Sequence, residues 1–198
     1  MSRIKAALAR GARLTLVILV AWMPLRALGA QDSAMEVPVA IQVPLFLKVL
    51  TFDRRLDARA GRDLVIAIVY QKGNRASTVA RDDALRALGG AHQVAGLTVR
   101  TYTIDLDRES LPAVLEERPA HVLYVTPLRG INILDVADAA RAAHATTITG
   151  MPEYIDLGLA VGVRLLGDRP KLMLNLTASR LEGADFSSEL LRLAQVSR

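Results

Sequence analysis

The sequence predicts an α/β fold of three layers: a mostly parallel sheet with helices on both faces and a C-terminal antiparallel hairpin on the sheet edge. Three observations predict it. Branched apolar runs such as DLVIAIVY, residues 63–70, read as strands buried on both faces. Helix-patterned segments lie between these runs, and that alternation implies right-handed crossovers. Near the end, Leu159 to Leu176 forms two strand-like runs around Gly167-Asp168-Arg169-Pro170, a hairpin signal.

Each element has a local reason. VPLFLKVLTF, Val43 to Phe52, reads as a short helix with Pro44 in its first turn, where a missing N–H costs nothing. Asp63 to Tyr70 is the first strand. Thr78 to Leu88 carries Val79, Leu85 and Leu88 at partly helical spacing, with Ser77 as N-cap and Gly89-Gly90 as its stop. Leu97 to Ile104 alternates and is rich in Thr and Val, so it is a strand. Arg108 to Glu117 is a short helix, and HVLYVTP is an apolar strand ending at Pro127. Ile131 to His144 is a helix with Ile131, Leu134, Ala137 or Asp138, and Arg141 on successive turns, and Thr146 to Gly150 is a brief strand. In the hairpin, Leu172, Leu174 and Leu176 alternate with Lys171, Met173 and Asn175.

Residues 1–30 read as a secretory signal peptide. A basic stretch from Arg3 to Arg13 precedes the apolar LTLVILVAWMPL, which is too short to span about 30 Å of hydrocarbon. Cleavage after Gly29 or Ala30 fits the small residues of ALGA. Residues 31–38 then form a flexible lead, and 39–198 a single α/β domain. The expected location is the periplasm, with no stable membrane insertion after cleavage.

Composition removes several classes of function. The chain has 198 residues, 52% hydrophobic, which suits one folded domain. The net charge is +5 at pH 7, yet Arg3, Lys5, Arg10, Arg13 and Arg26 account for all of it; beyond residue 30 bases and acids are equal in number. With aromatics at 4%, neither phosphate attraction nor base stacking recommends a nucleic-acid partner. Cysteine is absent, which excludes disulfides, thiol nucleophiles, thiolate metal sites and lipoprotein anchoring.

The closing stretch LEGADFSSELLRLAQV decides whether the chain reads as an enzyme. Ser187 or Ser188 would need a base and an orienting group to act as a nucleophile. His92, His121 and His144 lie in unpromising places, and no G-x-S-x-G elbow is present. Every residue instead has a structural role. Ser187 is an N-cap whose hydroxyl accepts from the N–H of Glu189 or Leu190, and Glu189 meets the helix dipole. Phe186 and Leu191 form a hydrophobic staple, and Leu190, Leu193 or Ala194 dock on the sheet. The histidines lack zinc spacing, and the Asp105/Asp107 pair reads as a solvated turn. QKGNRAST lacks the patterns of a phosphate loop, and NLT at Asn175 is discounted as a glycosylation acceptor. No catalytic, metal-binding or cofactor-binding residue is assigned.

Topology alone nominates one location. Ligands of open parallel sheets bind beyond the carboxyl ends of the strands. Those ends supply Lys72, Asn74 and Arg75 after the first strand and Arg129 and Asn132 after the third, as candidate ligand or partner loops.

The tail KLMLNLTASRLEGADFSSELLRLAQV resembles the end of YfiR-type periplasmic proteins. Asn175, Ala178, Phe186, Ser187, Ser188, Leu190, Leu191, Leu193 and Ala194 carry the resemblance. PLFLKVLTFDR looks like that family's first helix, and TTITGMPEYIDLG like its late strand and turn. The resemblance implies a non-enzymatic regulator that inhibits a membrane-bound signalling protein, a diguanylate cyclase or a sensor kinase, by contact with its outer domain. The thiol-based control of redox-responsive members cannot transfer to a chain without cysteine. The alternative is a small-ligand-binding accessory protein of an envelope transport or sensing system. Partners follow in the same way: an inner-membrane signalling protein first, and a second copy of the chain through the hairpin edge.

Overall fold

The computed structural model describes residues 35–90 and 93–197. The first 34 residues, which include the expected signal peptide, lie outside the described residues, as does His92.

Among the described residues, eight strands form one sheet in the order β2-β3-β1-β4-β5-β6-β7-β8. β1 (Asp63–Tyr70), β3 (Leu97–Asp105), β4 (Val122–Val125), β5 (Thr146–Thr149) and β6 (Val161–Leu166) are its parallel centre, ordered β3-β1-β4-β5-β6. β2 (Gln93–Val94) pairs antiparallel with β3 at one end. At the other end β7 (Arg169–Asn175) pairs antiparallel with β6 through a two-residue turn in which Gly167 has φ +61°. The α/β architecture and the hairpin are those the sequence implies. One refinement is β8 (Gln195–Ser197), which pairs parallel with Met173 to Asn175 and covers part of the hairpin's outer edge. Its three exposed residues carry too little pattern to read as a strand.

Helices cover both faces because the central strands bury both. Ile66, Ile68 and Tyr124 face a core made with α1 (Val39–Leu50), α2 (Leu56–Ala60), α3 (Arg75–Leu88) and α8 (Ser188–Leu193). Ala67, Val69, Leu123 and Val125 face a second core made with α4 (Leu111–Glu117), α5 (Ile133–Ala142) and α6 (Glu153–Asp156). α7 (Leu176–Leu181) follows β7 directly, capped by Asn175, whose side chain accepts from Ala178 N–H at 2.9 Å.

Several local readings change. α1 begins at Val39, so Pro44 is interior rather than in the first turn. It removes the bond that would reach the Ala40 carbonyl. Both residues lie on the exposed side, where water can meet that carbonyl. α3 is capped by Asn74, not Ser77, and buries Ala80, Ala84 and Leu88, leaving Val79 51% exposed. α5 likewise buries Ile133, Val136, Ala137 and Ala140 rather than Leu134. In both helices small alanines let the helix lie close to the sheet, which apolar spacing alone does not reveal.

The lead expected to be flexible over residues 31–38 is anchored from Met35 onward. Val37 is fully buried, and Gln42 Nε2 donates to its carbonyl at 2.6 Å. Tyr124 OH donates to Gln42 Oε1 at 2.9 Å, and the Tyr124 ring meets Phe46 edge-on with centroids 6.2 Å apart. Gly150 has no side chain because a Cβ there would overlap the Gln42 amide and Met35 Sδ. Tyr124→Phe should therefore leave Gln42 Oε1 without its donor in the core. A loss of about 1–3 kcal/mol is expected, measured by denaturant unfolding with the native fold retained.

Candidate functional site

The parallel centre reverses its winding between β1 and β4: the chain moves outward from β1 to β3, then returns to continue through β4. The loops beyond the carboxyl ends of these two strands, 71–74 and 126–132, thus flank the crevice where open α/β sheets bind ligands. They are tied together. Gln71 Nε2 donates to Arg129 O at 3.0 Å, and Arg129 N–H donates to Gln71 Oε1 at 2.8 Å. Asn74 Nδ2 donates to Pro127 O at 3.1 Å.

Beneath them runs a buried relay. Gln71 N–H donates to Ser77 Oγ at 2.8 Å, and Thr126 Oγ1 donates to the Val69 carbonyl at 2.9 Å. Since the Thr126 proton is committed to that carbonyl, Ser77 is the donor in its 2.7 Å contact with Thr126. Tyr154 holds the second loop from its other side: its hydroxyl accepts from Leu128 N–H at 2.8 Å and donates to Leu128 O at 3.2 Å. Burial pushes the Tyr154 phenol above its ordinary pKa, against the Leu128 N–H, whose hydrogen bond to the phenol oxygen lowers it.

A cleft of about 320 Å³ opens beside this crevice. Met35, Val37 and Val39 form one wall, Ala76, Val79 and Ala80 of α3 another, and Pro127 closes the end. Arg75 and Asp83 are its charged lining residues. The wall is apolar, and the positive end of α3 lies at its inner edge.

The five candidate loop residues divide accordingly. Arg75 lines the cleft. Asn74 caps α3, accepting from Ala76 N–H at 3.1 Å. Lys72 offers its backbone N–H to Asp105 Oδ1 at 3.0 Å. Arg129 is tied through its backbone to Gln71, and Asn132 caps α5, accepting from Leu134 N–H at 3.2 Å. Sequence reasoning missed the Met35–Val37–Val39 wall; its signal was the apolar alternation in MEVPV.

The other nominated groups are structural. Asp105 and Asp107 accept backbone N–H groups of the 71–74 loop, and no metal-binding cluster occurs among the described residues. His121 Nδ1 accepts from Val65 N–H at 3.0 Å, and burial lowers its pKa, with Arg59 adding to the effect. Ser187 holds the N-cap position of α8, but its hydroxyl makes no cap bond and has no partner. The chain there pairs instead with residues 52–54: Ser187 N–H donates to Phe52 O at 2.9 Å, and Asp53 bridges Phe186. Phe186 is buried, Leu190 packs in the same core, and Leu191 lies against it partly buried. Leu193 is exposed.

The amino ends of the strands hold two buried acidic side chains, Asp53 and Glu182. The Asp53 carboxylate accepts from Arg59 at 2.6 Å and from the N–H groups of Arg55 and Asp185 at 3.0 and 2.9 Å. Glu182 is fully buried and accepts from Thr147 N–H at 2.7 Å and Thr147 Oγ1 at 2.8 Å. That N–H has no strand partner because β6 meets β5 only from Ile148 onward. Burial pushes the Glu182 carboxyl up to about 8, against the two Thr147 hydrogen bonds and the positive charges of Arg141 and Arg59.

One doubly wound sheet that reverses its winding between β1 and β4 defines an open-sheet α/β domain. Solved structures agree at the level of fold. A conserved domain protein from Vibrio cholerae matches with TM-score 0.57 and 15% identity, over 81% of this chain and 60% of that one. The ABC domain in complex with L-Trp from Streptococcus pneumonia matches with TM-score 0.57 and 13% identity, over 80% of this chain and 61% of that one. This chain therefore spans about three fifths of their length. No curated protein matches it. The YfiR/HmsC-like family model matches residues 55–195, and the chain belongs to that family.

The buried acid generates a pH prediction. Between about pH 4.5 and 8 the folded protein holds a proton on Glu182 that the unfolded chain releases. Its contribution is therefore complete below the unfolded pKa and is lost as pH rises toward the folded one. Glu182→Gln keeps a donor and an acceptor for Thr147 without the charge. It should flatten the loss, whose slope is at most about 1.4 kcal/mol per pH unit, in unfolding curves taken from pH 4 to 9.

Proposed function

We propose that this protein is a periplasmic regulator that controls a membrane-bound signalling protein, a diguanylate cyclase or a sensor kinase, by protein–protein contact. The family match over residues 55–195 is the observation that carries the reading. In this reading residues 1–30 are the export signal and 39–198 the working domain. Among the described residues no helix is long and apolar enough to cross a membrane, consistent with a partner that supplies the anchor. Crosslinking of the exported protein in intact cells is expected to capture an inner-membrane cyclase or kinase, and deletion of the gene to raise that enzyme's output. Capture of only a second copy, with output unchanged, overturns the reading.

A second reading, a small-ligand-binding accessory protein, is favoured by the cleft itself. Apolar walls beside Arg75, with the Asp83 carboxylate already paired to Arg86, suit a small carboxylate with an apolar body. Such a ligand would stabilise the native state by mass action. A thermal-shift series of short- and medium-chain monocarboxylates should raise the melting temperature of the wild type. Val79→Trp, which fills the cleft from an exposed position, should abolish the rise. A flat series in the wild type excludes this reading.

A further inference from the structure

α1 is apolar on its outside as well as its inside. Its buried face is Val39, Gln42, Val43, Phe46, Val49 and Leu50. Its outer face carries Ala40, Ile41, Pro44 and Leu45, and its first outward charge is Lys48. A surface helix ordinarily turns charged or polar residues to water. Ile41 is 49% exposed.

This face runs directly into a groove. Leu45, Lys48 and Phe52 form one wall, Pro170 and Lys171 of β7 the floor, and Leu193 of α8 the opposite lip, enclosing about 320 Å³. Leu193 is 57% exposed. Ile41, Leu45, Lys48 and Phe52 recur at helical spacing, so the strip is about 16 Å long at 1.5 Å rise per residue. A partner helix of about three turns matches that length.

Charge selects the chemistry of the occupant. Lys48 Nζ sits 5.4 Å from the centre of the Phe52 ring, and Lys171 Nζ donates to the Leu193 carbonyl at 3.0 Å. No carboxylate lines the groove, and neither lysine meets one among the described residues. A ladder-extending strand is disfavoured here, because Pro170 has no N–H to offer and β8 already occupies the edge from Met173 to Asn175.

We propose that the groove between α1 and α8 docks an acidic amphipathic helix of the signalling partner. Its apolar face meets Ile41, Leu45 and Leu193, and its carboxylates meet Lys48 and Lys171. The inference rests on the regulatory reading above and names its contact surface.

The test uses the full chain, exported in cells, with a photo-crosslinking residue introduced singly at Leu45, Leu193, Val79 or Leu134. The last two are exposed positions elsewhere, on the cleft rim and on α5. Crosslinks from Leu45 and Leu193 should map by mass spectrometry to one acidic helical segment of one inner-membrane protein. Lys48→Glu combined with Lys171→Glu should lower their yield at least tenfold. The mapping is made with both lysines intact, so it stands whether or not the charge-reversed variant folds. Capture of a membrane protein from Val79 or Leu134 alone overturns the groove and leaves the regulatory reading. Capture of a second copy from Leu45 and Leu193, or an undiminished yield from a folded double variant, overturns the acidic helix. Capture of no membrane protein from any of the four positions overturns both.

Discussion

One buried amide organises the cleft end of this molecule. Gln42 lies in α1, wholly out of water, between the Val37 carbonyl on one side and the Tyr124 hydroxyl on the other. A buried amide without partners costs far more than a satisfied one contributes, so this arrangement is close to obligatory once Gln42 is inside. It fixes three things at once. It holds Met35 to Pro38 against the body, sets the depth at which α1 crosses the sheet, and joins both to the central strand β4. Gly150 leaves the space that the amide fills. The cleft wall is thus a consequence of the same contacts that seat α1, and so is the direction in which the outer face of α1 points.

The opposite end is closed by charge rather than by amide. Asp53 receives Arg59 and two backbone N–H groups, one of them from the C-terminal segment. That segment also exchanges backbone bonds with residues 52–54, so the tail is fastened immediately beyond α1. This explains how α8 forms without a cap bond from Ser187. Its entry is fixed by the bridge at Phe186 and the burial of Phe186 and Leu190. It also places α8 beside α1, which neither helix specifies alone. The groove between them is a product of long-range pairing, with about 140 residues of chain between Phe52 and Leu193.

The sheet and its covering helices were legible because their signals are local and repeated. DLVIAIVY can hardly be anything but a two-sided strand, and the Gly167-Asp168 turn announces the hairpin. The position of Asn74 beyond the end of a strand was legible, but its role as a helix cap was not, because a cap and a ligand contact use the same side-chain atoms. Gln42 and Glu182 were illegible for a deeper reason. Each is a polar residue in a segment that reads as exposed or merely apolar, and each is buried because a partner far along the chain, Tyr124 or Thr147, satisfies it. The faces of α3 and α5 were misread for a packing reason: Ala80, Ala84 and Ala140 are buried in preference to larger residues because they let the helices approach closely.

The distribution of polar groups bears on how this protein can recognise anything. At the winding reversal the hydrogen-bonding capacity is largely spent internally. Asn74 and Asn132 cap helices, Gln71 is matched to Arg129, Ser77 and Thr126 form a closed relay, and Asp105 and Asp107 hold loop N–H groups. A loop so fully satisfied gains little by offering those groups to a ligand, since each would first have to leave a partner. What remains available is apolar area with a few charges at its margins: Val79 and Arg75 at the cleft, Ile41, Leu45, Lys48 and Leu193 along α1 and α8. Surfaces of that composition recognise by shape and burial, with charge choosing among partners, the balance expected at a protein contact rather than at a site of chemistry. Where the hydrogen bonds have gone therefore supports the proposed reading of recognition by contact.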